Sequence, residues 1–163
     1  MSSKSGGRKK KDDNNIIANN RRAFHDYNIQ DKVEVGIILT GSEVKSLRTN
    51  QASIKEAYAG PMQNRLFLFN CNIPEYLQSN KGAQHEPKRP RELLLHKKEL
   101  SKLLLETQKK GITLVPLMLY FNHHGIVKLS IGLAKGKKQT DKRETEKQRD
   151  WEREKHRLLK NDL

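Results

Sequence analysis

Cysteine is nearly absent from this chain: Cys71 is the single one in 163 residues, which excludes an internal disulfide and any cysteine-built metal site. Aromatic residues are scarce at 6%, and hydrophobic residues reach only 34% with a mean hydropathy of −0.90, enough for one modest core and not for two. No apolar run approaches the roughly 18 residues of a membrane span, and the basic N-terminal stretch has no apolar segment behind it. A soluble, unexported, cytosolic protein is the expectation. Acid is also short: 19 Asp and Glu stand against 33 Lys and Arg, a formal +14 with a pI near 9.9. That excess in a small protein points to a polyanionic partner, of which nucleic acid is the commonest.

The excess is densest at the two ends. Residues 1–22 carry a net +5 and residues 134–163 a net +4, whereas the long middle, 23–133, carries only +5. Beyond Met1, the stretch 1–19 has only Ile16, Ile17 and Ala18 as apolar residues and reads as a flexible basic arm. From Ala134 onward the large apolar residues are Trp151, Leu158, Leu159 and Leu163, too few for a core. Three segments are therefore expected: an arm over 1–19, a folded domain over 20–133 and a basic tail over 134–163.

Within the domain, Val33, Val35, Ile37 and Leu39 alternate with Glu34, Gly36, Ile38 and Thr40, the period of a strand. Thr40-Gly41-Ser42-Glu43 is a capping-box pattern, so a helix is expected to about Arg48, with Val44 and Leu47 inward and Lys45 and Arg48 outward. Ile54 to Tyr58 and Leu66 to Ile73 suggest two strands joined around Gly60-Pro61. A polar loop over 78–90 precedes Leu93-Leu94-Leu95. Leu100, Leu103 and Leu104, ahead of Lys109-Lys110-Gly111, predict a helix of about four turns with a basic last turn and a glycine stop. Ile112 to Phe121 and Val127 to Leu133 form a hairpin about Asn122-His123-His124-Gly125, with Pro116 marking a bulge or a ladder gap. Phe67, Phe69, Cys71 and Tyr120 are read as core.

Five or six short strands and one long helix, without a βαβ rhythm, predict a mainly β protein: a small OB-fold-like antiparallel β-barrel with short flanking helices. Catalytic signatures fail on inspection. Gly132 to Lys138 resembles a phosphate loop, but three residues separate the glycines where four are needed, and Lys138 stands where Ser or Thr would hold magnesium. His123 and His124 are adjacent in a turn, where side chains diverge, and no further ligand lies at metal spacing. Neither Gly-x-Ser-x-Gly nor His-Glu-x-x-His occurs. Residue chemistry alone thus leads to a basic RNA- or DNA-binding barrel, no enzyme, with no metal and no cofactor.

Four runs are more specific together than singly: Asn20 to Tyr27, Glu34 to Gly36, Gly41 to Arg48, and Gly132 to Arg143. In this order and spacing the chain, from about Ile16 onward, resembles the SsrA-binding protein (SmpB) family. The resemblance implies a ribosome-rescue adaptor that binds the tRNA-like domain of transfer-messenger RNA and accompanies it to the decoding region and mRNA channel of stalled ribosomes for trans-translation. It implies a monomer without membrane attachment, with an OB fold and a C-terminal tail disordered alone and helical on the ribosome. The competing possibility is another OB-type translation factor or single-strand nucleic-acid-binding protein, which would expose aromatics on one barrel face.

Residue by residue, the resemblance places Asn20, Arg21, Arg22, Lys45, Arg48 and Lys128 on phosphates or ribose. It places Glu34 on the RNA-contacting surface, where a carboxylate accepts hydrogen bonds from base amino groups or a 2′-OH. On residue chemistry alone Glu34 is equally a solvated strand carboxylate. One of the three leucines, taken as Leu94, would pack against RNA; on residue chemistry alone an apolar triplet belongs equally to a core. The resemblance makes Lys135, Lys137, Lys138, Asp141, Lys142, Arg143 and Trp151 the ribosome-contacting tail. Thr140 departs from the family, which carries His there. In the tail, opposite charges recur three apart from Glu144/Lys147 to Glu154/Arg157, with Asp141 as helix cap. Each such pair contributes only about 0.2–0.5 kcal/mol, so the helix is marginal alone and suited to form against a polyanion.

Overall fold

The computed structural model describes residues 15–49, 51–137 and 139–161, with the backbone alone at 81, 139–141 and 161. In chain order the elements are β1 (Ile16–Asn19), α1 (Arg21–Asp26), β2 (Tyr27–Ile37), α2 (Gly41–Leu47), β3 (Tyr58–Met62), β4 (Arg65–Phe69), β5 (Arg91–Leu94), α3 (Lys97–Thr107), β6 (Ile112–Phe121), β7 (Val127–Gly136) and α4 (Gln139–Asn161). Strand pairings are antiparallel, and the order β6-β3-β4-β5-β2-β7 closes on itself through β6 and β7. The remaining strand, β1, takes the part of the β6 edge that β3 leaves open, pairing near Met118 to Tyr120 while β3 pairs at Leu114. This ring of strands with short helices outside it is the mainly β architecture that the periodicity predicts.

Alternate positions of each strand point inward. Val35, Leu66, Leu68, Leu93, Leu114, Leu119, Leu129 and Ile131 are all buried in one cluster, joined by Leu47 of α2 and Leu103 of α3. Burying each such side chain contributes about 1.5–3 kcal/mol, an upper figure because the unfolded chain already hides some surface. A second, smaller cluster lies on the outer side of the ring, where α1 sets Ala23 against Val115, Leu117 and Ala134.

The capping box of α2 is present, with Thr40 and Glu43 bonded reciprocally, and it does more than start a helix. The Glu43 side chain is fully buried and bonded to Arg91 and Arg89, and the Arg91 guanidinium also donates to the carbonyls of Cys71 at 2.8 Å and Pro87 at 3.1 Å. Nearby, His85 is buried between Ser42 Oγ and the Ile73 carbonyl, each 2.9 Å away. The carbonyl can only accept, so Nε2 donates to it while Nδ1 bonds with the Ser42 hydroxyl. These bonds pin the loop ahead of β5 to α2.

Several boundaries differ from the sequence expectation. Ile16–Asn19, expected in the flexible arm, is strand β1, with Ile17 buried against the core; residues 1–14 lie outside the described residues. At the other end β7 runs on to Gly136, so the domain reaches past 133 and Lys135 belongs to a strand rather than to the tail. Ile54 to Ala57 precede β3 instead of forming it, and the hairpin turns at Gln63-Asn64, with φ of 52° and 60°, not at Gly60-Pro61. Two left-handed residues match the twist of a tight hairpin. Pro61 is tolerated inside β3 because β6 pairs with that strand at Ala59 alone, leaving an open edge beside the missing N–H. The following strand ends at Phe69, where Asn70 turns to a φ of 62°. Helix α3 closes at Thr107, shorter than expected and ahead of the basic pair Lys109-Lys110; Gly111 follows at φ 81°. The expected irregularity at Pro116 is a register shift between Pro116 and Met118.

Phe67, Phe69 and Tyr120 are not core. Leu66 and Leu68 take the inward positions of β4, so the phenylalanines face outward, where Phe69 stacks on Tyr58 at 5.4 Å between centroids and covers Gly60. Cys71 is buried, as expected, and burial pushes its thiol up to about 11, which leaves it unreactive. His123 and His124 do not diverge. The turn, organised by Asn122 Oδ1 accepting from the N–H groups of His124 and Ile126, holds their rings 3.9 Å apart.

Candidate nucleic-acid interface

The register of the ring brings distant sequence positions into cross-strand rows. Leu94 of β5 lies opposite Gly36 of β2, Gly36 opposite Lys128 of β7, and Lys128 opposite Tyr120 of β6. The next row sets Glu34 opposite Ser130 and Ser130 opposite Met118. Because their neighbours Leu93, Val35, Leu129 and Leu119 point inward, all of these face out. Gly36 has no side chain to fill its place in the row, and a Cβ there would stand 3.2 Å from Leu94 Cβ. A shallow groove of about 450 Å³ results, lined by Glu34, Gly36, Leu94, His96, Ile126 and Lys128 among others.

This groove carries two kinds of chemistry. Leu94 is 52% exposed and Ile126 55%, an apolar pair suited to the face of an unstacked base or a sugar. Of the three leucines, Leu93 is buried and Leu94 is the most exposed. Glu34 accepts a hydrogen bond from the Tyr120 hydroxyl, and Lys128 has no carboxylate partner among the described residues. Burial, reinforced by Glu34, raises the pKa of the Tyr120 phenol, which therefore remains a donor. The groove thus offers an acceptor, an unpaired cation and two apolar surfaces.

The same outer face continues along β7 toward α1, from Lys128 past Ser130 and Gly132 to Ala134, a span of about 20 Å. Lys32, opposite Gly132, lies on this path with its ammonium 5.0 Å from the Phe24 ring centroid. At its far end α1 presents Arg21 and Arg22 to solvent, the latter paired with Asp26 at 3.1 Å. Asn20, expected on the RNA surface, is buried instead: its Oδ1 caps α1 by accepting from Ala23 N–H, and its Nδ2 donates to the Pro116 carbonyl at 3.0 Å. It serves to hold α1 and its arginines, not to present an amide outward. Lys45 on α2 and Arg48 at its C-cap are exposed, Lys45 5.9 Å from the Tyr76 ring, and neither lines the groove. Sequence reasoning did not single out Lys32, His96, Ile126 or, as a surface residue, Tyr120; only the strand register places them beside Glu34 and Lys128.

The tail is a helix that begins at Gln139, ahead of Asp141, so Asp141 lies within it rather than capping it. Lys138 and the side chains of Thr140 and Asp141 lie outside the described residues. Its root is tied to α1: Lys137, ahead of the helix, donates from Nζ to the Phe24 carbonyl at 3.1 Å, His25 Nε2 lies 2.9 Å from Glu146, and Lys142 approaches Asp26 at 3.9 Å. Asp26 gathers these charges, and its His25 hydrogen bond, with Arg22 and Lys142 beside it, holds its carboxyl below the usual range. Beyond Glu146 every described side chain is exposed, Trp151 by 67%. Of the five expected ion pairs only Asp150/Arg153, at 3.9 Å, closes among the described residues. No helix among them is long and apolar enough to cross a membrane, and no cluster of acidic, His or Cys residues is placed to hold a metal.

Comparison with known proteins adds a separate line of observation. Residues 17–161 match the pattern of the family described as SmpB protein. SsrA-binding protein of Rhodopseudomonas palustris (strain TIE-1) is 57% identical over 141 residues, covering 86% of this chain and 89% of the relative. SsrA-binding protein of Paramagnetospirillum magneticum is also 57% identical, covering 86% of this chain and 92% of the relative. A solved chain described under "tmRNA-SmpB: a journey to the center of the bacterial ribosome" is similar with a TM-score of 0.62 and 46% identity, over 74% of this chain and 84% of that one.

Proposed function

This chain belongs to the SmpB protein family, and we propose that it is an RNA-binding adaptor that binds the tRNA-like domain of transfer-messenger RNA and delivers it to stalled ribosomes for trans-translation. The observation that carries this reading, beside family membership, is the meeting of Glu34, Leu94 and Lys128 in one groove from three separate strands. It acts as a binder and not as a catalyst, in the cytoplasm where ribosomes are.

The chemistry divides the work. Lys128, Lys32, Arg21 and Arg22, strung along one face, supply sequence-independent phosphate attraction whose strength falls with salt. The Glu34 carboxylate and the Leu94–Ile126 surface supply what attraction cannot, a directed acceptor and a shaped apolar contact that select an RNA with an exposed base or ribose at that point. Lys45 on α2 and Arg48 at its C-cap extend the basic surface. The tail, rooted on α1 and exposed beyond Glu146, is suited to a different partner. Its cations and Trp151 meet the mRNA channel of the ribosome, which stabilises a helix with no apolar stripe of its own.

The outward stack of Tyr58 and Phe69, with Phe67 beside it, favours a second reading, a single-strand nucleic-acid binder using a stacking platform. Sequencing the RNA that co-purifies with the protein separates the two. Enrichment of transfer-messenger RNA is expected; a mixture of ribosomal fragments and DNA without it would favour the second reading.

A further inference from the structure

We propose that Tyr120 is a positioning residue of the RNA face, whose hydroxyl holds the Glu34 carboxylate over the groove and away from Lys128, so that both charges remain available to RNA. This role rests on the proposed RNA-binding function of the same face. Glu34 and Lys128 stand on the neighbouring strands β2 and β7 as diagonal cross-strand neighbours, since Glu34 faces Ser130 and Gly36 faces Lys128. Long side chains of opposite charge at that offset, about 7–8 Å between backbones, are within reach of one another. Gly36, opposite Lys128 and two residues from Glu34, contributes no side chain to separate them.

The carboxylate nevertheless bonds across to β6, to the Tyr120 hydroxyl, and Lys128 is left without a carboxylate partner among the described residues. Tyr120 sits opposite Lys128 in the same cross-strand row, on the far side of β7 from Glu34, so the bond between its hydroxyl and the carboxylate crosses the strand that carries Lys128. A phenol is a neutral partner. It orients one carboxylate oxygen and leaves the charge and the remaining lone pairs free, whereas an ion pair with Lys128 would cancel a phosphate-binding cation and occupy the acceptor together. Tyr120 is half-buried on a ladder strand, which keeps the hydroxyl in place before RNA arrives. The phenol's raised pKa keeps it a donor throughout the neutral range.

The test is Tyr120→Phe in the full chain, titrated with transcribed tRNA-like-domain RNA across a salt series, beside Glu34→Gln, Lys128→Ala and the Tyr120→Phe/Lys128→Ala double variant. With the hydroxyl gone, Glu34 turns to Lys128. Affinity is expected to fall about tenfold, the salt slope to drop by about one, and Lys128→Ala to cost less in the Tyr120→Phe background than in the parent, with an unchanged thermal midpoint. Parental affinity and slope for Tyr120→Phe, while Glu34→Gln and Lys128→Ala both bind weakly, would overturn the positioning role and leave the RNA face standing. So would a lowered midpoint with losses that simply add, which marks a structural tyrosine. Parental binding by both Glu34→Gln and Lys128→Ala would overturn the RNA face itself, and the positioning role with it.

Discussion

His25 Nε2 and Glu146 Oε1 lie 2.9 Å apart across 121 residues of sequence, and their contact fastens the tail helix to the short helix beside β1. His25 also touches Asp26 through Nδ1 at 3.0 Å, so one imidazole links two carboxylates. A largely exposed pair of this kind contributes less than about 1 kcal/mol. His25→Ala is therefore expected to leave the thermal midpoint of the domain almost unchanged while amide hydrogen exchange speeds up over the first turns of α4. Unaltered protection there would mean that Lys137 and Lys142 hold the root unaided.

Glu34 gives charge arithmetic and directed bonding opposite signs. A purely electrostatic interface predicts that Glu34→Gln tightens RNA binding by deleting a repelling charge. A carboxylate that accepts hydrogen bonds from the RNA predicts weakening, by about 1–3 kcal/mol, with the fold intact. Weakening is the expected result of a titration at fixed salt. Equal or tighter binding would take Glu34 out of the interface.

Salt slopes separate phosphate contacts from solvated surface. Lys128→Ala in the groove and Arg48→Ala at the C-cap of α2 are each expected to flatten the dependence of log affinity on log salt by about one. An unchanged slope for Arg48→Ala alone would confine the interface to the β2–β7 face, because α2 lies outside the groove.

The tail is expected to be separable from RNA recognition. A chain stopped after Lys138 keeps all seven strands and should retain RNA affinity, yet fail to support tagging on stalled ribosomes. Trp151→Ala, which removes a ring that is 67% exposed, is expected to lose part of that activity. Full tagging by the truncated chain would remove the tail from the mechanism.

Glu43 ties the fold to pH. Burial alone would raise its pKa, but the bonds from Arg91 and Arg89 outweigh burial and hold it below the usual 4.5. A depressed folded-state pKa means stability that is fully present above the unfolded value and lost as pH falls through the folded one. Glu43→Gln is thus expected to destabilise at neutral pH by about 3–5 kcal/mol, because it leaves buried Arg91 uncompensated. It should also flatten the acid limb of stability below pH 4.5, measured by denaturant melts at a series of pH values.

Much of this molecule was set locally. Alternation at Val33 to Leu39 is enough to make a strand, the Thr40–Glu43 box is enough to start α2, and the Asn122 to Gly125 turn joins β6 to β7, because each depends on residues a few positions apart. Composition alone set the basic character and the modest size of the main core, and motif order set the family. Tertiary structure decided which outward positions meet. Glu34, Leu94, Lys128 and Tyr120 lie on four strands whose neighbour relations follow from ring closure and register, which no local pattern encodes. The same cause turned Phe67 and Phe69 outward, since Leu66 and Leu68 compete for the same core and the strand cannot bury both of its faces. It turned Asn20 inward, because a cap on a helix packed against the sheet is buried by what it caps. And it drew Ile16–Asn19 out of a basic arm into the sheet: four residues with little apolar area form a stable strand only where β6 already offers an unpaired edge.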